Sequence, residues 1–335
     1  MENSEKICDI QKRLFEEIQK NFPVQYALVE VVSEVLHIGL DAAYRRIRCD
    51  KLLSIEETYT LCKHFKLSFD ALTGVKDIHL FNCTYHPINL SQTNEYLNYI
   101  ISLTKSVDIL KTTSDSSMLM TATDIPVFHS ITQKELMFFK IYTWFHSVYN
   151  YEGALDDFMQ EIDMPEILSC YQKIISDYEI IPSAEIWTEN TIDATLRLII
   201  YYVEICKFAD KNLPLQLCQQ VLTILYRLEK WAENSGKGKH GIPFQFYLSE
   251  IKLENTFILM KHSGLTNCVV KLFTTNSLNV MDQDFCSETE QWLNRLTQRS
   301  VLLCGNSEKE RIKFFNAQRQ KVRVLIDKIE HYNFE

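Results

Sequence analysis

The spacing of apolar residues is the feature that most limits what this chain can fold into. Along most of its 335 residues, apolar side chains recur every three or four positions, and only eight glycines and seven prolines interrupt the pattern. This spacing places apolar side chains on one face of an α-helix. We therefore predict a mainly α fold. Because 46% of the residues are apolar, the chain has enough apolar surface for two or more domains.

The first 75 residues have the pattern of a small helical domain. Five short helices fit into residues 1–75, and the second and third are predicted over about 25–36 and 40–48. Ser54 and Glu57 have the spacing of a capping box, which begins the fourth helix. A short fifth helix then completes an N-terminal domain.

A linker and a larger domain are predicted for the rest of the chain. The helical pattern lapses over 76–89, which we assign as the linker, and the second domain spans 90–335. Helical spacing over 90–233 predicts a bundle, and the segment 234–241, rich in glycine and lysine, predicts a mobile loop. Within 242–335, short apolar runs between turn residues predict a small antiparallel β-meander, followed by two closing helices.

Charge and cysteine spacing exclude several classes of protein. The net charge of -9 argues against a protein that coats nucleic acid, so DNA binding would require a local basic patch. The ten cysteines are scattered singly, without the spacing of a metal site, and we expect reduced thiols and no bound metal. The start of the chain lacks the pattern of a secretory signal, and the most apolar run, 196–203, is too short to span a membrane. We therefore expect a cytoplasmic protein that does not bind membranes.

Two of the predicted helices and the residues between them have the pattern of a helix-turn-helix. His37, Ile38 and Gly39 supply the turn between the second and third helices. On the third helix, Ala43 and Ile47 are four positions apart and are expected to face inward. The third helix would then be the one that enters a DNA groove.

The outward positions of the third helix are the candidates for reading DNA bases. Residues 44–51 contain four cationic side chains and one acidic side chain, Asp50. Arg45 and Arg48 are candidates for guanine contacts, because the guanidinium fork matches the O6 and N7 atoms of guanine in the major groove. The full set of predicted base-reading residues is Asp41, Tyr44, Arg45 and Arg48.

Phosphate contacts are predicted beside this helix. We assign Lys51, just beyond the helix, to a phosphate, and the backbone near Gln25 to another. Arg46 lies between the buried and exposed arcs, so we assign it either to packing of its apolar stem or to a phosphate contact.

The same stretch resembles a known class of DNA-binding domain. The segment 28–72, with AAYRRIR at 42–48 and LSIEE at 53–57, looks like the Xre/Cro-like helix-turn-helix domain. More narrowly, it is similar to bacterial regulators that join a YRRIRG-type recognition helix to a long helical domain. The resemblance covers about 45 residues and implies a sequence-specific DNA-binding transcription regulator that acts as a homodimer on double-stranded DNA. The segments 285–292 and 307–315 are also similar to the end of those proteins.

Two positions depart from the pattern of that family. His37 stands at a turn position that is often glycine, which predicts a positive φ for this histidine. Cys49 replaces the usual glycine after the recognition helix.

No catalytic or cofactor-binding pattern was found, and we predict that the chain is not an enzyme. The loop 236–241 lacks the residue order of a phosphate-binding loop, and none of the nine histidines lies in a zinc-binding motif. The C-terminal domain is expected to dimerise, to sense an effector or to bind a protein partner. Its aromatic helix near 138–149 fits core packing or an effector pocket, and its last helix fits core packing or a dimer seam. The alternative function is a protein-protein interaction protein whose helix-turn-helix module does not bind DNA.

Overall fold

The chain forms two compact units, residues 1–82 and residues 83–335, which are described separately. The computed structural model describes residues 2–20, 28–69, 72, 81, 83–85, 93–111, 113, 115–149, 151–162, 164–273 and 276–332. Most of the predicted linker 76–89 therefore lies outside the described residues. Within it, Cys83–Tyr85 forms the first strand of the second unit.

The N-terminal unit is helical where it is described. Its helices are α1 (Glu2–Lys20), α2 (Leu28–Leu36), α3 (Leu40–Ile47) and α4 (Ile55–Phe65). Their buried apolar side chains form one core, which includes Leu14, Phe15, Ile18, Val32, Ala43 and Leu61. The predicted capping box is confirmed: the Ser54 hydroxyl accepts from the Glu57 backbone N–H, and the Glu57 carboxylate accepts from that of Ser54. Most of the predicted fifth helix lies outside the described residues.

The C-terminal unit combines helices with a large sheet. Its helices are α5 (Thr93–Leu110), α6 (Val127–Ser130), α7 (Lys134–Tyr149), α8 (Leu155–Ile162), α9 (Pro165–Glu179), α10 (Asp193–Glu204), α11 (Leu213–Asn234), α12 (Gln283–Gln298) and α13 (Glu308–Glu330). Its strands are β1 (Cys83–Tyr85), β2 (Ser117–Thr121), β3 (Ser183–Trp187), β4 (Gly236–Lys237), β5 (Ile242–Leu248), β6 (Phe257–His262), β7 (Leu265–Phe273), β8 (Asn276–Val280) and β9 (Val301–Leu302).

The predicted fold class, a mainly α protein with a small antiparallel meander, is wrong. The nine strands form one mixed sheet in the order β1-β8-β7-β6-β2-β3-β5-β4, with β9 paired to β5. Strand β3 pairs in parallel with β2 on one side and with β5 on the other. Strand β7 pairs antiparallel with β6 and with β8. The predicted meander strands exist, but β2 and β3 lie between β5 and β6. Both intervening strands fall inside the segment 90–233 that was assigned to a helical bundle.

Alternation of side chains gives the sheet two different faces. Met118 and Met120 of β2 and Phe244 and Phe246 of β5 pack against the large helical cluster that includes α7, α9, α11 and α13. The other face, including Ile186 of β3, packs on α12. Because successive residues of a strand point to opposite faces, each of these short strands contributes to two cores.

The aromatic side chains of the aromatic helix and the apolar stripe of the last helix are packed in the core. Phe138, Phe139 and Trp144 of α7 are buried in the helical cluster. On α13, Phe315 and Val322 are buried in the same cluster, and this helix packs along α11. The last helix therefore has its main apolar face within its own unit.

The segment 234–241, predicted as a mobile loop, is instead a tight β4–β5 hairpin. Gly236 and Lys237 pair with Pro243 and Ile242. Gly238 has a φ of +64°, and a Cβ there would lie 3.0 Å from the Glu179 carbonyl oxygen, so both the turn and the close approach favour glycine. The Lys237 side chain is fully buried, and its ammonium donates to the Ser183 hydroxyl at 2.7 Å.

A buried polar network is centred on Glu185 of β3. The Glu185 carboxylate accepts hydrogen bonds from His129 Nε2 at 2.8 Å, from Trp187 Nε1 at 2.8 Å and from the Tyr178 hydroxyl. Burial raises the pKa of Glu185, but the electrostatic interaction with His129 and the hydrogen bonds from His129, Tyr178 and Trp187 outweigh burial and leave that pKa below its usual value. The carboxylate is therefore held ionised inside the core.

His129 completes the network as a neutral imidazole. Burial lowers its pKa, an effect that Glu185 opposes only in part. With Nε2–H donating to Glu185, the other ring nitrogen, Nδ1, accepts from Arg227 Nη2 at 3.2 Å. His129 and Glu185 are fully buried, so we assign them a role in packing and orientation within the core.

Among the residues that the structure describes, no helix combines the length and the apolar composition required to cross a membrane.

Candidate nucleic-acid interface

The turn between α2 and α3 is closed by backbone hydrogen bonds. The Ile38 N–H donates to Ser33 O at 3.0 Å, and the His37 N–H donates to Glu34 O at 3.2 Å. His37 itself has a φ of 53°. This is the pairing of a Schellman motif, in which one left-handed residue ends a helix and redirects the chain. The predicted positive φ of His37 is confirmed. Gly39 then begins α3 with extended backbone, as a helix N-cap does.

The end of α3 also has a non-glycine residue in the left-handed conformation. Cys49 has a φ of 61°, and its N–H donates to Arg46 O at 3.0 Å. This is the position at which the resembled family usually has glycine. Glycine adopts such a positive φ without the steric cost of a Cβ.

The faces of α3 are arranged as the sequence pattern predicted. Ala43 is fully buried and Ile47 packs against the same core. The predicted base-reading side chains are all exposed, and their spacing puts them on one side of the helix: Asp41, Tyr44, Arg45 and Arg48. The Arg48 guanidinium lies 5.7 Å from the centre of the Tyr44 ring, which is within the range of a cation–π contact.

Arg46 differs from its arginine neighbours because it is buried. Its Nε donates to Glu57 Oε2 at 3.1 Å, its Nη2 pairs with Glu57 Oε1, and its Nη1 donates to Ala42 O at 3.0 Å. The bond from Arg46 is the main cause that lowers the pKa of Glu57. The guanidinium thus ties α3 to the first turn of α4, a buried ion pair that the sequence analysis did not predict for Arg46.

Gln11 of α1 is a residue that the sequence analysis missed. Its amide nitrogen donates to Arg46 O at 2.6 Å and to Lys51 O at 3.0 Å, and its amide oxygen accepts from the Leu53 N–H at 2.8 Å. A single buried side chain therefore satisfies three backbone groups at and beyond the end of α3. No local sequence signal reveals this, because these contacts span 35 to 42 positions.

The remaining predicted contacts lie at the edge of this surface. Lys51 is exposed directly after α3, and its backbone is held by Gln11 and by a hydrogen bond from its N–H to Arg45 O at 3.1 Å. Gln25, predicted to lie at a phosphate contact, is outside the described residues. Large apolar side chains are also exposed here, namely Leu40 (56%), Ile55 (90%) and Tyr59 (62%).

Comparison with known proteins gave no match: no protein-family model, no curated protein and no solved structure is significantly similar to this chain. Within the described part of the chain, no cluster of three or more His, Cys, Asp or Glu side chains has the geometry to hold a metal ion.

Proposed function

We propose that this chain is a sequence-specific DNA-binding transcription regulator whose helix α3 enters the major groove. The observation that carries the proposal is the exposed row of Tyr44, Arg45 and Arg48 along α3. This helix follows a hydrogen-bonded turn in which His37 has positive φ. A helix-turn-helix requires this combination, because the turn sets the angle at which the second helix is presented to DNA.

The proposed contacts divide into base-reading and phosphate-binding groups. Arg45 and Arg48 donate to guanine edges, and Tyr44 and Asp41 contact neighbouring bases. Lys51 contacts a phosphate, where it adds affinity without sequence preference. We assign Arg46 to the stability of the unit, because its guanidinium is occupied by Glu57 and Ala42.

The C-terminal unit would carry the regulatory part of this function. We propose that it dimerises the protein or senses a signal, and that the dimer places two copies of α3 on half-sites about one helical turn apart. We propose a cytoplasmic location for the same reason, because a bacterial-type regulator binds the chromosome in the cytoplasm.

The test begins with selection of bound sequences from randomised duplex DNA, followed by anisotropy titrations at several salt concentrations. We expect a selected site with two symmetric halves. Arg45→Ala and Arg48→Ala should each weaken binding by about 1–3 kcal/mol and relax the preference at one or two base positions. Lys51→Ala should weaken binding to all sequences about equally and reduce the salt slope by about one unit.

The matched control is Arg13→Ala, which removes an exposed arginine from α1 of the same unit. It should leave base preference unchanged. The proposal is wrong if no duplex is enriched, or if the Arg45, Arg48 and Lys51 variants bind the best duplex as the unmodified chain does.

A protein-protein interaction role is the second candidate, and exposed apolar side chains favour it. Leu40, Ile55 and Tyr59 are exposed large apolar side chains, and surface of this kind is typical of protein contacts. The two functions respond differently to salt, because DNA binding releases counterions and weakens steeply as ionic strength rises. Binding that persists at high salt and is lost in Ile55→Ser and Tyr59→Ser would support this candidate.

A further inference from the structure

A cavity of about 640 Å³ lies in the C-terminal unit, between α5 and the antiparallel part of the sheet. Helices α6 and α7 contribute to its walls, and strands β6, β7 and β8 contribute to its floor. Cavities of this volume are typical of sites for small organic molecules. All of its lining residues belong to the C-terminal unit.

The floor of the cavity is one continuous row across four strands. Met120 of β2 pairs with Ile258 of β6, Ile258 with Val269 of β7, and Val269 with Asn279 of β8. Paired residues of neighbouring strands point to the same face. The row therefore changes from apolar at the centre of the sheet to polar at its edge.

The polar end of this floor extends along β7 and β8. Asn267 and Lys271 flank Val269 at intervals of two residues, so they share its face, and Lys271 pairs with Ser277. The opposite face of the same strands is apolar, with Cys268 and Val280 buried against α12. A solvated sheet face has this alternation too, but here α5 packs over the sheet at β6.

Two amide oxygens at this end are excluded from water. Asn267 Oδ1 and Asn279 Oδ1 are buried and have no hydrogen-bond partner among the described residues. Buried carbonyl oxygens without a donor are rare in folded proteins, because their desolvation is not compensated. A bound molecule with hydroxyl or N–H groups could donate hydrogen bonds to both oxygens.

Lys271 forms no ion pair with any residue that the structure describes. The charged side chains that act on it are Lys140 and Asp124, and these two pair with each other at 2.8 Å. Asp124 also accepts hydrogen bonds from the Thr195 hydroxyl at 2.6 Å and from the Ile125 N–H at 2.8 Å. Burial and the nearby charge of Lys140 together lower the pKa of Lys271 to about 8, against the opposing effect of Asp124.

We propose that this cavity binds a small amphipathic carboxylate. The carboxylate of the bound molecule would accept from Lys271 Nζ, and its own hydroxyl or amide N–H groups would donate to Asn267 and Asn279. Its apolar part would lie over Val269, Ile258 and Met120. This proposal concerns the C-terminal unit and does not depend on DNA binding, so the two proposals fail separately.

The test is a binding assay on the full chain, without DNA, using matched pairs of probes. The acids are N-acetyl-leucine, N-acetyl-phenylalanine and 2-hydroxy-4-methylpentanoic acid, and each is paired with its neutral primary amide. We expect saturable binding of acids, detected by calorimetry or ligand-observed NMR, that is roughly ten- to a hundredfold tighter than binding of the amides. No binding by any acid, or equal binding of acid and amide, would overturn the proposal.

Variants connect the binding to the cavity. Lys271→Met should remove the preference for acids, and Lys271→Gln repeats the comparison if the methionine variant does not fold. The control, Lys230→Met, changes an exposed lysine of α11 that does not line the cavity, and it should bind as the unmodified chain does. An unchanged preference for acids in both Lys271 variants would refute the site.

A stability measurement gives a second, independent readout. Asn279→Leu removes a buried unpaired carbonyl, so it should raise the melting temperature of the empty chain while weakening acid binding. A residue with a purely structural role would show the reverse, a lower melting temperature with unchanged binding, and that result would contradict the proposal.

Discussion

At the scale of single residues, several positions have a backbone conformation or a degree of burial that is unfavourable for the residue type found there. His37, Cys49 and Lys66 each end a helix with positive φ, at 53°, 61° and 55°. Positive φ costs an L-residue about 1–2 kcal/mol relative to the right-handed region. Lys237 is unusual in its environment rather than its backbone, because its amino group is enclosed in the core of the C-terminal unit.

We predict that His37→Gly stabilises the N-terminal unit by about 1 kcal/mol, because glycine adopts the required φ without a Cβ. The His37 side chain is exposed, so its removal loses little packing. Urea unfolding measures the change. His37→Ala is the control, since it removes the imidazole but keeps the Cβ, and an equal gain in both variants would show that backbone strain is not the cause.

We predict that Lys237 makes the stability of the C-terminal unit depend on pH. Burial lowers the pKa of Lys237 to about 7, and Glu185 and Glu179 oppose this shift. Between about pH 7 and the ordinary lysine pKa, the unfolded chain binds one more proton than the folded chain, so folding is favoured as pH rises. Relative to Lys237→Met, the unmodified chain should therefore gain about 1.4 kcal/mol per pH unit between roughly pH 7.5 and 9.5.

The matched control for this prediction lies in the same hairpin. Lys239 is exposed two residues further on, and Lys239→Met should show no pH-dependent difference from the unmodified chain. A pH-independent difference between the unmodified chain and Lys237→Met would mean that Lys237 stays charged in the folded state.

At the scale of elements, the position of α3 depends on its neighbours as much as on its own turn. The buried guanidinium of Arg46 joins α3 to Glu57 at the start of α4. The Gln11 amide of α1 holds three backbone groups around the end of α3. The proposed DNA-reading face is therefore supported from two sides by side chains that would not themselves touch DNA.

We predict that Gln11→Leu lowers the unfolding free energy by about 1–3 kcal/mol, because it removes the Gln11 partner of the Lys51 carbonyl and of the Leu53 N–H and one of the two hydrogen bonds to the Arg46 carbonyl. The control is Gln19→Leu, which changes an exposed glutamine of the same helix and should have an effect within about 0.5 kcal/mol. Chemical unfolding followed by circular dichroism measures both. Equal effects of the two substitutions would contradict the proposed role of Gln11.

At the scale of the whole molecule, the two units have separate cores. The apolar cluster of the N-terminal unit is confined to residues of that unit, and the two clusters of the C-terminal unit are confined to residues after 83. A unit with its own core and its own helix caps can fold independently of the rest of the chain.

We predict that a fragment of residues 1–82 folds alone. Its circular dichroism should be helical, and its thermal unfolding should be a single cooperative transition. The complementary measurement is calorimetry of the full chain, in which Gln11→Leu should shift the transition of the N-terminal unit and leave that of the C-terminal unit in place. A fragment without a cooperative transition would show that this unit depends on the rest of the protein.

The sequence by itself determined what depends on neighbouring residues. The capping box of Ser54 and Glu57, the positive φ of His37 and the inward direction of Ala43 all follow from contacts within a few positions, and all three are present. The three predicted meander strands were also located, because their apolar residues alternate or form short runs between turn residues.

Only the tertiary structure decided how the C-terminal unit is arranged. Strands β2 and β3 are five residues long and pair with partners more than 50 positions away, for example Met118 with Ser183. Segments this short cannot be told from pieces of a buried helix until their partners are known. The same holds for Lys237 and Lys271, whose surroundings come from distant segments. Burial and charge pairing depend on contacts between residues that are distant in the sequence, so the spacing of residues within a short segment does not predict them.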